Sequence, residues 1–374
     1  MNIISKAIGV CIISVVAYLS HPKFGAVPRG GRLARILKSQ NYKNGEFRNR
    51  ETINSAHPPS RVLRKIIAVN QSSPKIPSRY TRLDSLDPQA DVLIWFGHSS
   101  YYIQLNGKRI IVDPVLSEVS SPIPNFPNAY QGTSVYQPKD IPHVNFLFIT
   151  HDHYDHLDYN TIKLLKFDFA ICPLGVGAHL ERFGVKKAKI IELDWDEVIQ
   201  IDGFKIYCLT ARHWSRRRYH RNQTLWASFL VETPTLFKVY IGGDGGYGSH
   251  FKGIGDKYGP IDVAFLENGQ YNENWANVHM KPEETVQATN DLRAKVLVPV
   301  HFAKFSLAPH TWNDSIERTY QLMKGQQFRL VTPMIGEAVR IKDDHQKFKT
   351  WWRTSGKSLA SHKSRRVKTQ MKQD

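Results

Sequence analysis

The stretch Thr150-His151-Asp152-His153-Tyr154-Asp155-His156-Leu157-Asp158 sets three imidazoles and a carboxylate in the order H-x-H-x-D-H. Alternation along an extended segment points His151 and His153 to one side, while Asp155 and His156 begin the next turn and can face a second cation. Such a loop suits two metal ions. Imidazole and carboxylate donors without thiolates favour zinc, with iron or manganese open, because selectivity follows geometry and availability. A two-metal site needs more ligands than one loop provides, and His213, Asp244 in Gly242-Gly243-Asp244, and His301 are the candidates. Two cations about 3.5 to 4 Å apart turn a water between them into a nucleophile near neutral pH, so no Ser or Cys nucleophile is required.

Those residues need a scaffold that delivers them to one place. Apolar runs at Val92 to Phe96, Arg109 to Val112, Val144 to Ile149, Lys205 to Thr210, Phe237 to Ile241, Ile261 to Leu266 and Lys295 to Val300 read as strands. Tyr159 to Leu165, Gly177 to Phe183, Pro282 to Arg293 and Asn313 to Lys324 read as helices. The pattern predicts a layered α/β domain. His213, Asp244 and His301 each fall just past the C-terminal end of a run, where such sheets gather their ligands.

The ligand order resembles that of the metallo-β-lactamase superfamily. More closely, Trp95-Phe-Gly-His98-Ser-Ser, Val112-Asp113-Pro114, Thr150 to Asn160, Glu192-Leu-Asp-Trp195, His213-Trp214, Gly243-Asp244-Gly-Gly-Tyr247 and Pro282-Glu-Glu284 look like the N-acylphosphatidylethanolamine-hydrolysing phospholipase D family, over roughly residues 90 to 340. The resemblance implies a four-layer αββα sandwich with two zinc ions at one edge. It assigns His151, His153 and His213 to one ion, Asp155, His156 and His301 to the other, and Asp244 to both. His98 and Asp113 would stand behind the ligands, although by residue type alone they could equally be caps or turn formers. Asp155 and His279 would be catalytic, His279 lying near a substrate phosphate. The implied reaction is phosphodiester hydrolysis of a membrane glycerophospholipid of the N-acylphosphatidylethanolamine type; His279, or Arg216, Arg217 and Arg218, a run more basic than the family pattern, are the candidates to hold an anionic oxygen. A lactonase, a sugar-phosphate hydrolase or a nuclease of the same superfamily is the alternative.

Composition bounds these readings. The 374 residues are 41% hydrophobic and 11% aromatic, which excludes wholesale disorder. A net charge of +18 favours anionic partners, the phospholipid substrate and an anionic membrane surface among them. The excess cations lie in the two ends of the chain and not around the ligand motifs, which argues against nucleic acid. Three cysteines exclude a disulfide framework; Cys11 lies in the leader, leaving Cys172 and Cys208 as at most one pair. The sequence divides into residues 1–20, an apolar signal or anchor; 21–89, a basic irregular arm; 90–345, the hydrolase domain; and 346–374, a basic disordered tail. The run from Ala7 to Leu19 has the length of a signal-peptide core and is short of a membrane span. It predicts association with a cell envelope of bacterial type. Cations on its far flank leave the side of the membrane open.

Overall fold

A computed structural model describes residues 14–53, 60–71, 74–217 and 219–353. The start of the leader, Arg218 and residues 354–374 of the predicted tail lie outside the described residues.

The arm has more regular structure than its Pro and Ser content suggests. Residues 14–19 are helical (α1), followed by α2 (Gly30–Ile36), the ribbon β1 (Tyr42–Lys43) and β2 (Glu46–Phe47), and α3 (Ser60–Gln71). Ile36, Phe47 and Ile76 enter the central core. Arg32 ties the arm down through Glu192 at 2.6 Å and Glu181 at 2.9 Å. At Gly25, with φ +70°, a Cβ would lie 2.1 Å from His179 Nδ1, so only glycine lets the chain pass that close.

The first sheet contains β3 (Val92–Trp95), β4 (Tyr101–Leu105), β5 (Lys108–Val112), β6 (Val144–Phe148), β7 (Phe167–Pro173) and β8 (Ile190–Leu193), with α4 (Tyr159–Ile162) and α5 (Gly177–Arg182) between them. The second contains β9 (Val198–Ile201), β10 (Phe204–Leu209), β13 (Ser228–Glu232), β14 (Lys238–Ile241), β15 (Ile261–Glu267) and β16 (Ala294–Val300); a small ribbon, β11 (Arg216–Arg217) with β12 (His220–Arg221), precedes β13. Helices α6 (His250–Tyr258), α7 (Pro282–Asp291) and α8 (Asp314–Gln321) intervene, and β17 (Arg329–Leu330) and β18 (Ala338–Arg340) follow. The sheet orders are β18-β3-β4-β5-β6-β7-β8 and β17-β16-β15-β14-β13-β10-β9. Strands β5 to β8 and β14 to β17 pair in parallel, while the other sheet pairings are antiparallel.

Side-chain alternation sorts each strand between two environments. From β6, Phe146 and Phe148 enter the core shared by the sheets, whereas Leu147, and Ile149 just past the strand, face the side of α4 and α5. From β15, Val263 and Phe265 enter the shared core, and Ala264 and Leu266 face the side of α6 and α7. Helix, sheet, sheet and helix therefore stack as the four layers of an αββα sandwich. The folded unit reaches residue 353, beyond the expected boundary at 345, because Trp351 and Trp352 are buried. Cys172 and Cys208 are buried and unpaired, one on an outer face and one between the sheets. Among the described residues no helix is long and apolar enough to cross a membrane.

Candidate metal centre

The H-x-H-x-D-H segment leaves the end of β6 and is stopped by Asp158, whose carboxylate caps α4 by accepting from the Asn160 and Thr161 amides. Strands β14 and β16 deliver Asp244 and His301 to the same edge, and the loop after β10 delivers His213. At Gly243, with φ +62°, a Cβ would meet Thr150 Cβ at 2.8 Å, so the turn that carries Asp244 packs directly on the histidine loop.

Two donor sets result. In the first, His153 Nδ1 lies 2.9 Å from His151 Nε2 and 3.3 Å from His213 Nε2. Asp244 Oδ2 lies 3.8 Å from both His151 Nε2 and His213 Nε2. Donors on a tetrahedral zinc ion stand about 3.3 Å apart, so these four atoms match the edges of such a shell. In the second, His156 Nε2 lies 3.1 Å from Asp244 Oδ2 and 3.6 Å from Asp155 Oδ2. His98, Asp155, His156 and His301 offer donor atoms within 4.8 Å of one another. Asp244 borders both sets, as a bridging carboxylate would.

Groups of the chain fix the rings from behind. Asp113 Oδ2 lies 2.7 Å from His156 Nδ1, while its Oδ1 accepts from the Thr150 amide. His213 Nδ1 donates to Val278 O at 3.0 Å, His301 Nδ1 lies 2.9 Å from Ser99 Oγ, and His98 Nε2 lies 2.9 Å from Asp155 Oδ2. Such contacts select the ring nitrogen left for a metal. The backbone bends sharply here, with φ of +51° at His98, +39° at Asp113 and +67° at His301.

Electrostatics suit cation binding. Burial, then neighbouring imidazoles, lowers His151, His213 and His301 well below the ordinary histidine range, which keeps them neutral as ligands must be. Burial brings His153 down to about 4. Burial likewise disfavours charge on His156, yet the carboxylates of Asp244, Asp155 and Asp113 raise it well above its usual value. Asp244 is pushed up to about 6 by burial, against the pull of His156. Four buried imidazole nitrogens (His98 Nδ1, His153 Nε2, His156 Nε2 and His301 Nε2) and Asp244 Oδ1 have no hydrogen-bond partner among the described residues. Of these, His156 Nε2, His301 Nε2 and Asp244 Oδ1 belong to candidate ligands, and a metal pair would satisfy them.

The remaining candidates divide. His279 lines the cavity above the cluster, its ring 5.2 Å from His213 and 5.1 Å from His301. Arg216 lines the same cavity, and its amide donates to Asp152 Oδ1. Arg217 does not serve as the sequence suggested: it is buried, donates to the carbonyls of Lys23 and Asp152, and lies 4.1 Å over the Tyr154 ring. Its charge clamps the arm to the histidine loop. Arg218 lies outside the described residues.

Three further residues support the site without having been singled out from sequence. Asn49 of the arm donates to His213 O and accepts from His213 N. His179 accepts from the Ala26 amide and meets Asp152 at 3.3 Å. Glu267 lies 2.7 Å from His279. The available signal was Glu267's place one residue past an apolar run, the placement that singled out His301. The cavity has a volume of about 450 Å³, and Leu19, Phe24, Pro122, Trp214, Tyr219 and Leu307 give it an apolar wall.

Residues 108–302 match the model of the β-lactamase superfamily domain. The chain is 35% identical over 330 residues to an uncharacterized protein of Mycobacterium tuberculosis, covering 84% of this chain and 88% of that one. It is 27% identical over 276 residues to N-acyl-phosphatidylethanolamine-hydrolyzing phospholipase D 1 of Caenorhabditis elegans, covering 65% and 76%. The metallo hydrolase Igni18 of Ignicoccus hospitalis has a similar fold, with a TM-score of 0.50 at 22% identity over 70% of this chain and all of that one.

Proposed function

The chain belongs to the metallo-β-lactamase superfamily, and within it we propose a two-metal phosphodiesterase that hydrolyses a glycerophospholipid of the N-acylphosphatidylethanolamine type at a membrane surface. The observation that carries this reading is the convergence of two His/Asp donor sets on Asp244, with buried ring nitrogens left unpartnered around it. Similarity to the nematode phospholipase D, and an apolar-walled cavity above the cluster, favour the lipid substrate over other electrophiles.

His151, His153 and His213 would hold one ion, Asp155, His156 and His301 the other, and Asp244 both; zinc fits the donors. When bound, the pair supplies Lewis acidity and a water of lowered pKa. The chain orients the rest. Asp113, Val278 O and Ser99 lock three ligand rings. Arg216, at the cavity wall, is placed to attract the phosphate, and His279 to hydrogen bond with one of its oxygens. The acyl chains would lie against the apolar wall, which excludes water from the reacting end. Exposed Ile123 follows the wall residue Pro122 in the chain, and exposed Val15 and Val16 lie on α1 one turn before the wall residue Leu19, which gives an apolar rim on a chain of net charge +18. That combination supports docking on an anionic envelope membrane.

The test is product identification by mass spectrometry after zinc-loaded protein meets vesicles of N-acylphosphatidylethanolamine, with a lactone and a sugar phosphate as parallel substrates. Phosphatidic acid and the N-acylethanolamine are expected. Arg216→Ala should lower kcat/KM for the phosphodiester about tenfold to a hundredfold, the loss of one charge-assisted hydrogen bond. Turnover of the lactone or sugar phosphate with none of the phospholipid would replace this reading with another hydrolase of the superfamily.

A further inference from the structure

Glu267 closes β15 between the strands that end before Asp244 and His301, and pairs in register with Val300. Its side chain is 1% exposed. Burial pushes the Glu267 carboxyl well above its usual range, while the backbone amides of Met280 and Gly245, from which it accepts, pull it down; Oε2 lies 2.7 Å from His279 Nδ1. Amide N–H groups can only donate, so they fix the carboxylate as an acceptor from two directions, and the histidine ring occupies the third. Ring stacking on His301, at 5.1 Å and 14°, sets the plane of His279. Among the described residues its Nε2 has no hydrogen-bond partner, and the ring lines the cavity.

We propose that Glu267 is a positioning residue that accepts the Nδ1 proton of His279 and leaves Nε2 as the nitrogen offered to the substrate beside Asp244. In an imidazole, the partner of one nitrogen decides the state of the other. A carboxylate behind Nδ1 fixes the tautomer of a neutral ring and the direction of its other nitrogen. What Nε2 meets rests on the hydrolytic reading above. The tautomer and the ring's direction rest only on the Glu267 contacts.

Glu267→Gln is the discriminating variant, because it keeps shape and removes one acceptor. The glutamine oxygen is claimed by the Met280 and Gly245 amides, so the NH2 group faces Nδ1 and drives the ring proton to Nε2. In zinc-loaded, full-length protein with 15N-labelled histidine, two-bond 15N–1H correlation should show the Nδ1–H form of His279 in the parent and the Nε2–H form in Glu267→Gln. The His279 signals are identified by their loss in His279→Gln. Zinc content should be unchanged in Glu267→Gln while kcat for the phosphodiester falls about tenfold to a hundredfold with little change in KM. Glu267→Asp should restore the Nδ1–H form and part of kcat, and it serves if the glutamine variant fails to fold. A parent with the proton on Nε2, or the same tautomer in parent and Glu267→Gln, overturns the inference. Failure of the substrate assignment would appear instead as a parent inactive on the phospholipid with its Nδ1–H signal intact.

Discussion

Asp244 and Asp113 are both buried carboxylates within reach of His156, yet they do different work. Asp244 Oδ2 lies within 3.8 Å of three candidate ligand nitrogens, whereas Asp113 faces the far nitrogen of His156 and accepts from the amide and the hydroxyl of Thr150. Asp244→Asn should therefore release metal from both positions, while Asp113→Asn should weaken affinity about tenfold to a hundredfold and leave one ion bound. Elemental analysis after graded chelator dialysis reads both, and full occupancy in Asp244→Asn would remove it from the ligand set. At this scale the candidate ligands were legible because five histidines and two aspartates are rare at fixed offsets past apolar runs. The supports were not. Asn49 acts through the backbone of His213, a contact no spacing announces, and a lone glutamate at a strand end carries no metal signature. The Arg216–Arg217 pair was misread because net charge ignores alternation: β11 sends Arg216 outward and Arg217 into the protein.

The elements that carry the site were also those most legible, and for one reason. Parallel strands buried on both faces, such as β6, β15 and β16, need continuous apolar runs, which stand out in sequence. Strands missed from sequence keep polar residues for specific tasks. On β4, Gln104 is fully buried and donates to the carbonyls of Asp87 and Ala90, and β13 opens on buried Ser228. The C-terminal turn was obscured in another way, since the basic residues that follow it read as tail while Trp351 and Trp352 pack inward. That turn is latched to α8. Glu317 accepts from Trp352 Nε1 at 2.8 Å and from Arg353 Nη2 at 2.7 Å, and the Arg353 bond is the main cause that brings its carboxyl down to about 2. A depressed folded-state pKa gives stability that is complete above the ordinary value near 4.5 and is lost as pH falls toward 2. Glu317→Gln should thus lower stability at pH 6 and flatten its decline between pH 4.5 and 2. Urea midpoints of parent and variant across that window check this, and parallel curves would show that the latch has no pH-linked energy.

Over the whole molecule, the arm is built into the catalytic edge. Leu19 and Phe24 form part of the cavity wall, and Tyr18 hydrogen bonds to Pro122 O across the mouth. Just beyond, the Lys23 carbonyl holds Arg217, the Ala26 amide holds His179, and both side chains converge on Asp152 between two candidate ligands. The sequence places a boundary at residue 20, with an apolar signal or anchor and no ligand candidate before it. The contacts move that boundary back, because residues 18 to 26 belong to the wall. Two truncations separate attachment from wall. Removing residues 1–13 deletes most of the apolar run without touching a described contact, so binding to anionic phosphatidylglycerol vesicles should fall while hydrolysis of a short-chain soluble phosphodiester stays near that of the parent. Removing residues 1–26 also takes away Leu19, Phe24 and both clamps. It should lower soluble turnover by about tenfold or more, through a histidine loop that is less well placed, with zinc still bound by ligands that lie elsewhere in the chain. Vesicle cosedimentation, soluble-substrate kinetics and zinc content on the three proteins decide between these roles. Full soluble turnover after loss of residues 1–26 would show that the arm only covers the site, and undiminished vesicle binding without residues 1–13 would move the attachment from the leader to the apolar rim.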